Sequence, residues 1–158
     1  PQSVMASKRK YFKQLFEKSE ELNLIDGVLE LIQHYQQSNL VLVLASSASM
    51  ANINLIFEKF DLNRYFKAKI SGADLKASKP HPEIFEKAVV LSGVSKTECF
   101  VIEDATNGIL AAKAAGLFCV AYDGGHSHGQ EYSQADRIVT DFESLRIKNL
   151  KSFFKNTA

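Results

Sequence analysis

The sequence predicts an α/β protein built on a doubly wound parallel sheet, and three observations carry that reading. The first is the run Leu-Val-Leu-Val-Leu-Ala at residues 40–45, which shows no alternation of apolar and polar positions. A strand apolar on both faces is what a parallel sheet covered by helices requires. The second is the regular exchange, from residue 28 onward, between such runs and segments with apolar residues at helical spacing. The third is where the reactive polar residues fall: directly after the runs, where open α/β sheets bind their ligands.

Each element follows from its local pattern. Phe12, Leu15, Phe16 and Leu22 share one face of a predicted helix over 7–22, and Lys8, Lys10, Lys13 and Lys18 lie largely off it, as on a solvated face. Asp26-Gly27 reads as a helix start, with Val28, Leu31, Ile32 and Tyr35 as the stripe. After the strand at 40–45, Met50, Ile53, Ile56, Phe57 and Phe60 make the next helix, and a short strand follows at 68–71. Pro82 suits a first helical turn, and Ile84, Phe85, Ala88, Val89 and Leu91 continue that helix. Residues 99–102 form another buried strand. A helix over 106–115 ends at Gly116, a good left-handed cap. Strands at 118–122 and 137–140 and a short helix over 145–154 complete the chain.

Composition narrows the function classes. The chain has 158 residues, 46% hydrophobic and 23% charged, which fits one globular domain rather than a disordered segment. Nineteen basic residues against 18 acidic ones leave a net charge of +1, no field to steer the protein onto nucleic acid or an anionic membrane. No apolar run approaches the roughly 20 residues needed to span a bilayer, and the polar, basic first twenty residues are no signal peptide. Two cysteines, Cys99 and Cys119, form no disulfide framework and read as small core residues, so the expected location is cytoplasmic. The chain opens on Pro1 rather than methionine, which suggests a processed or truncated piece.

Three polar clusters converge on one sheet edge. Ser46-Ser47-Ala48-Ser49 follows the first strand, Glu103-Asp104 follows the third, and Ser78-Lys79-Pro80 precedes a helix. Adjacent carboxylates at a strand end repel unless a cation or basic group lies between them, and oxygen donors with open positions suit Mg²⁺. Asp104 could equally cap the following helix, and Ser46 could cap its own. A serine hydroxyl with helix-terminal N–H groups can instead hold a phosphate, and a lysine beside it would neutralise the transferring group. Single residues do not decide among these readings.

Their order is more specific. The strings LVLVLASSAS (40–49), ASKPHPEIFEKA (77–88) and VIEDATNGILAAKAAG (101–116) resemble motifs two to four of the haloacid dehalogenase-like superfamily, in its β-phosphoglucomutase-like branch. KRKYFKQLF near the start looks like the last helix of that branch's helical cap. The resemblance implies a Rossmann-like core at 25–158, with 1–24 as remnant of the cap and linker. It implies Mg²⁺-dependent phosphoryl transfer on a small phosphorylated metabolite through an aspartyl-phosphate. Ser46 would bond a phosphoryl oxygen with help from the Ser47 backbone, Lys79 would bridge nucleophile and phosphoryl group, and Glu103 and Asp104 would orient the metal or its waters. Response-regulator receivers use a similar toolkit in the opposite chain order, and true dehalogenases of the superfamily do without the carboxylate pair.

The sequence departs from the family in two places. Ala105 stands where relatives commonly carry serine, and no Asp-x-Asp occurs anywhere in the chain. Asp26-Gly27-Val28-Leu29 mimics the tail of that first motif, but Leu24 stands where its first aspartate would be. The nucleophile is therefore not expected in these 158 residues. In the family's sheet the missing strand lies between those ending at Ala45 and Ile102. Strands sit about 4.8 Å apart, so its absence predicts two half-sheets roughly 9–10 Å apart around a void, or a separate polypeptide in the slot. The chain alone is expected to be an inactive monomer. The rival expectation is a non-catalytic α/β binding module that lost its nucleophile. His126 and His128 lie in a glycine-rich loop expected to be solvated, and Phe153 and Phe154 read as terminal packing.

Overall fold

Gly27 begins the first described helix, at φ 88°, a left-handed conformation that also brings the Phe142 ring within 3.1 Å of where a side chain would start. The structure is a computed structural model that describes residues 22–125 and 128–154, without the side chains of 153 and 154. The predicted helix over 7–22 thus lies outside the described residues except at its last position, as do His126 and the side chains of Phe153 and Phe154.

The elements alternate as the patterning predicts: α1 Val28–Gln37, β1 Leu42–Ser46, α2 Met50–Lys59, β2 Phe66–Ser71, α3 Glu83–Ser92, β3 Phe100–Glu103, α4 Thr106–Ala114, β4 Phe118–Tyr122, β5 Arg137–Val139 and α5 Ile147–Phe154. Several bounds differ by one or two residues from the sequence reading. The shift that matters is at β3, which runs through Glu103 and so draws that carboxylate into the sheet.

All strand pairs are parallel, but they form two sheets. β1 pairs with β2, Ala45 opposite Ile70 and Ser46 opposite Ser71. β3, β4 and β5 form the other sheet, Glu103 opposite Ala121 and Tyr122 opposite Val139. No ladder joins β1 to β3 among the described residues. This is the divided sheet expected from the missing strand.

Two apolar layers hold the halves together. Ile84 and Phe85 of α3 and Ile109, Ala111 and Ala112 of α4 pack on one face, against Val43, Ala45, Ile70, Val101, Cys119 and Ala121. Leu31, Tyr35, Leu145 and Leu150 cover the other, against Leu42, Phe100, Ile102, Val120 and Val139. The period-two alternation within β3 and β4 sends neighbours to opposite layers, as pleating requires. The Tyr35 hydroxyl donates to the Leu145 carbonyl at 2.6 Å across that second layer.

One expectation is corrected. The 40–45 run reads as a strand covered on both faces, yet all five residues of β1 are only half-buried and Val41, just before it, is 44% exposed. Among the described residues β1 is paired on one side only, which leaves its other edge uncovered. Cys119 is fully buried as expected, whereas Cys99 falls just before β3, half-buried, with its thiol donating to the Ser95 carbonyl at 3.3 Å.

Candidate functional site

The two sheets open onto a cleft of about 580 Å³, lined among others by Leu44, Ala45, Ser46 and Ser47 on one side and by Ile102, Glu103, Asp104 and Ala105 on the other. Every residue singled out in the sequence for phosphate or metal contact is on this lining, with Lys79 between the two walls.

The serine loop is fixed from three directions. The Ser46 hydroxyl oxygen accepts from the Ala48 N–H at 3.2 Å, while Ser49 caps α2 by accepting from Asn52 N–H at 3.4 Å. The cap is therefore Ser49, not Ser46, which is left at the strand end facing the cleft. Ser71 donates to the Ala48 carbonyl at 2.9 Å. Gly72 lies so close that a Cβ there would sit 3.2 Å from the Ser47 Cα.

Lys79 crosses the cleft. Its Nζ donates to the Ala45 carbonyl on β1 at 3.2 Å and pairs with Glu103 on β3. The two side chains are only 11% and 10% exposed, and the ammonium lies 4.8 Å from the centre of the Phe85 ring. The Lys79–Pro80 peptide is cis. The other Glu103 oxygen accepts from the N–H groups of Asp104 at 3.2 Å and Ala105 at 3.4 Å. A buried carboxylate satisfied on both oxygens is a fixed anchor rather than a free metal ligand. Its charge is felt across the sheet: burial first, then the charges of Glu103 and Asp136, push the Cys119 thiol up to about 12. Asp104 is the exposed member of the pair at the rim.

Sequence reasoning missed several supporting residues. Gly108 admits Glu103, because any side chain there would run into that carboxylate. A glycine five residues after a strand-end glutamate could have signalled such a close approach. Ala105 offers no side-chain cap to α4, and Gln130 supplies one from afar, accepting from Thr106 N–H at 2.8 Å and its hydroxyl at 3.1 Å. Glu131 N–H returns a bond to the Thr106 hydroxyl at 2.8 Å. Nothing local in the sequence announces a partner twenty-four residues away. At the cleft's far end Tyr122 stacks on Phe142, 4.4 Å and 10° apart. His128 is exposed on its loop.

The donor set at the rim is all oxygen, which fits a hard divalent cation that keeps waters in its shell. Among the described residues no group of three or more His, Cys, Asp or Glu side chains converges to hold a metal. A cation at Asp104 would therefore complete its shell with water and with groups other than a cluster of such side chains. No described helix is long and apolar enough to cross a membrane.

The chain is similar to known proteins in sequence and fold. The family model for haloacid dehalogenase-like hydrolases matches residues 2–122. The chain is 32% identical over 149 residues to the beta-phosphoglucomutase of Bacillus subtilis, covering 94% of this chain and 63% of that protein. It is 34% identical over 128 residues to hexitol phosphatase B of Escherichia coli K12, covering 80% of this chain and 58% of that one. The crystal structure of CbbY from Rhodobacter sphaeroides in complex with phosphate superimposes with a TM-score of 0.84 at 26% identity, over 94% of this chain and 68% of that one. The chain spans less than two thirds of the length of these curated relatives.

Proposed function

The chain belongs to the haloacid dehalogenase-like hydrolase family, in its β-phosphoglucomutase-like branch, and from that premise we propose that its cleft is the larger part of a Mg²⁺-dependent phosphoryl-transfer site for a small phosphorylated metabolite such as a sugar phosphate. The observation that carries the reading is Lys79, whose ammonium joins the serine-loop wall to the carboxylate wall in one cleft. Relatives named as acting on or binding phosphorylated compounds, a phosphoglucomutase and a hexitol phosphatase among them, support the substrate class.

Each residue has a role its surroundings permit. The Ser46 hydroxyl and the N–H of Ser47 stand at a strand end to receive phosphoryl oxygens. Lys79, held by Glu103, offsets the charge of the transferring group, and a preorganised cation of this kind contributes without reorganising as the reaction proceeds. Glu103 fixes Lys79 and the 104–105 turn, so its part in metal binding is to orient Asp104, the residue left to meet the cation or its waters. Bound there, Mg²⁺ would supply electrostatic stabilisation of the transferring phosphoryl oxygens.

The nucleophile belongs to the unpaired edges. We place it on an apolar strand seated between β1 and β3, parallel to both, whose carboxyl end carries an Asp-x-Asp beside Lys79. The test is to measure p-nitrophenyl phosphate hydrolysis by the chain alone, and with such a strand supplied as a peptide or fused upstream. The expected result is no turnover alone, Mg²⁺-dependent and chelator-sensitive turnover with the strand, and losses of about 10²–10³ in Lys79→Ala and Asp104→Asn. A chain that binds phosphate but never turns over with the strand in place would instead be the non-catalytic binding module.

A further inference from the structure

Lys79 stands in a turn held by a titratable group that the proposed chemistry does not use. The His81 N–H donates to the Ser78 carbonyl at 3.0 Å, closing residues 78–81 around the lysine. Two further bonds tie this turn to α3. Ala77 N–H donates to the Glu83 carboxylate at 3.3 Å, and Glu83 N–H donates to Nδ1 of the His81 ring at 3.2 Å. Pro82, which precedes α3, gives that helix no side-chain bond, so the imidazole satisfies one of its first free N–H groups. An imidazole accepts a hydrogen bond only through an unprotonated nitrogen, and the charged ring is a donor at both. Glu83 is coupled electrostatically to the ring. It pairs in turn with Lys87 of α3 at 2.8 Å, and Lys79 pairs with Glu103 of β3.

We propose that His81 is a positioning residue for Lys79 and makes the phosphate corner of the cleft pH-sensitive: its neutral ring holds the turn that presents the ammonium, and its protonation releases that turn. This rests on the reading of Lys79 as the phosphate-binding cation. The charged ring loses the bond from Glu83 N–H and sets a positive charge at the start of α3, where the helix dipole disfavours one. The bond from Ala77 N–H to Glu83 remains, so the turn loosens rather than unfolds. Lys79 reaches Ala45 and Glu103 from this turn, and a looser base removes the preorganisation on which its electrostatic contribution depends. In His81→Asn the side-chain oxygen can accept from the N–H two residues on, as the imidazole does, without titrating.

The experiment measures sulfate binding to the full chain by calorimetry, sulfate being a tetrahedral dianion that does not itself titrate over the range used. Measurements at about pH 8 and about pH 5.5 bracket the range in which imidazoles ordinarily charge. At the higher pH, wild type and His81→Asn are expected to bind alike, and His81→Ala about two- to tenfold more weakly, the fold-change of one hydrogen bond. At the lower pH, wild type should fall to the level of His81→Ala, below His81→Asn by that same factor. The chain has four histidines, and any response of the other three is common to wild type and His81→Asn. Equal pH responses in those two proteins, or wild-type affinity in His81→Ala at the higher pH, overturn the proposal and leave the Lys79 reading standing. Wild-type affinity in Lys79→Ala, or no sulfate binding by wild type, overturns both.

Discussion

β1 of the two-stranded sheet and β4 of the three-stranded sheet are both almost wholly apolar but differ in how well they are covered. Cys119, Val120 and Ala121 of β4 are fully buried between two neighbours, whereas every residue of β1 is half-buried beside one. The difference teaches that β1 has more apolarity than its surroundings use. Burying apolar surface contributes about 25 cal/mol per Å², and a strand that leaves such surface open is suited to a further neighbour. The open edges of β1 and β3 are also where the chemistry-bearing residues gather, so the least satisfied part of the scaffold is the proposed site.

The sheets meet polar-to-polar at Lys79–Glu103, and cutting that link should have the largest effect on stability. Glu103→Ala leaves a nearly buried ammonium without its carboxylate and is expected to cost about 3–5 kcal/mol in denaturant unfolding. Lys79→Ala should cost less, because Glu103 keeps the N–H groups of Asp104 and Ala105. Equal losses would mean that the pair does not join two unequal halves.

Packing should follow the same asymmetry. Leu145, fully buried on the three-stranded side, should lose about 2–5 kcal/mol on Leu145→Ala, and Leu44→Ala on the open strand under about 2 kcal/mol. A smaller difference is expected with pH. On the three-stranded side, Asp136 accepts from Lys113 at 2.6 Å and from Cys119 N–H at 2.7 Å. Burial pushes the Asp136 carboxyl up, but these bonds outweigh it and hold it below the usual range. A depressed folded pKa gives stability that is present above the unfolded carboxylate value and lost as pH falls through the folded one. Asp136→Asn should therefore be less stable than wild type at neutral pH by about 1–3 kcal/mol, with the gap closing below the ordinary carboxylate range. On the two-stranded side Lys67 bonds a carbonyl and Lys69 two asparagines, so Lys69→Met should shift stability without that acid dependence.

Most of the architecture was legible because it rests on local periodicity. The strand at 118–122 and the helices at 28–37 and 83–92 follow from apolar spacing and from punctuating residues such as Gly27 and Pro82. The site residues were legible because they follow strands in a recognisable order. The Gln130 cap was not, because its partner, Thr106, lies in another part of the chain. The burial of β1 was misjudged for a different reason. Apolarity reports what a strand can cover, and exposure depends on whether the neighbour is there.

The central claim is that the gap between β1 and β3 receives a parallel strand, and hydrogen–deuterium exchange tests it most directly. The chain is compared with and without a peptide of alternating Val and Ile ending in Asp-x-Asp. The gap-facing amides of Leu42–Ser46 and Phe100–Glu103, not those already bonded to β2 and β4, should slow together on addition of the peptide, while those of Phe118–Tyr122, already paired on both sides, stay as they were. Unchanged exchange of the gap-facing amides of both β1 and β3 at saturating peptide, or slow exchange of those same amides before any is added, would contradict the account.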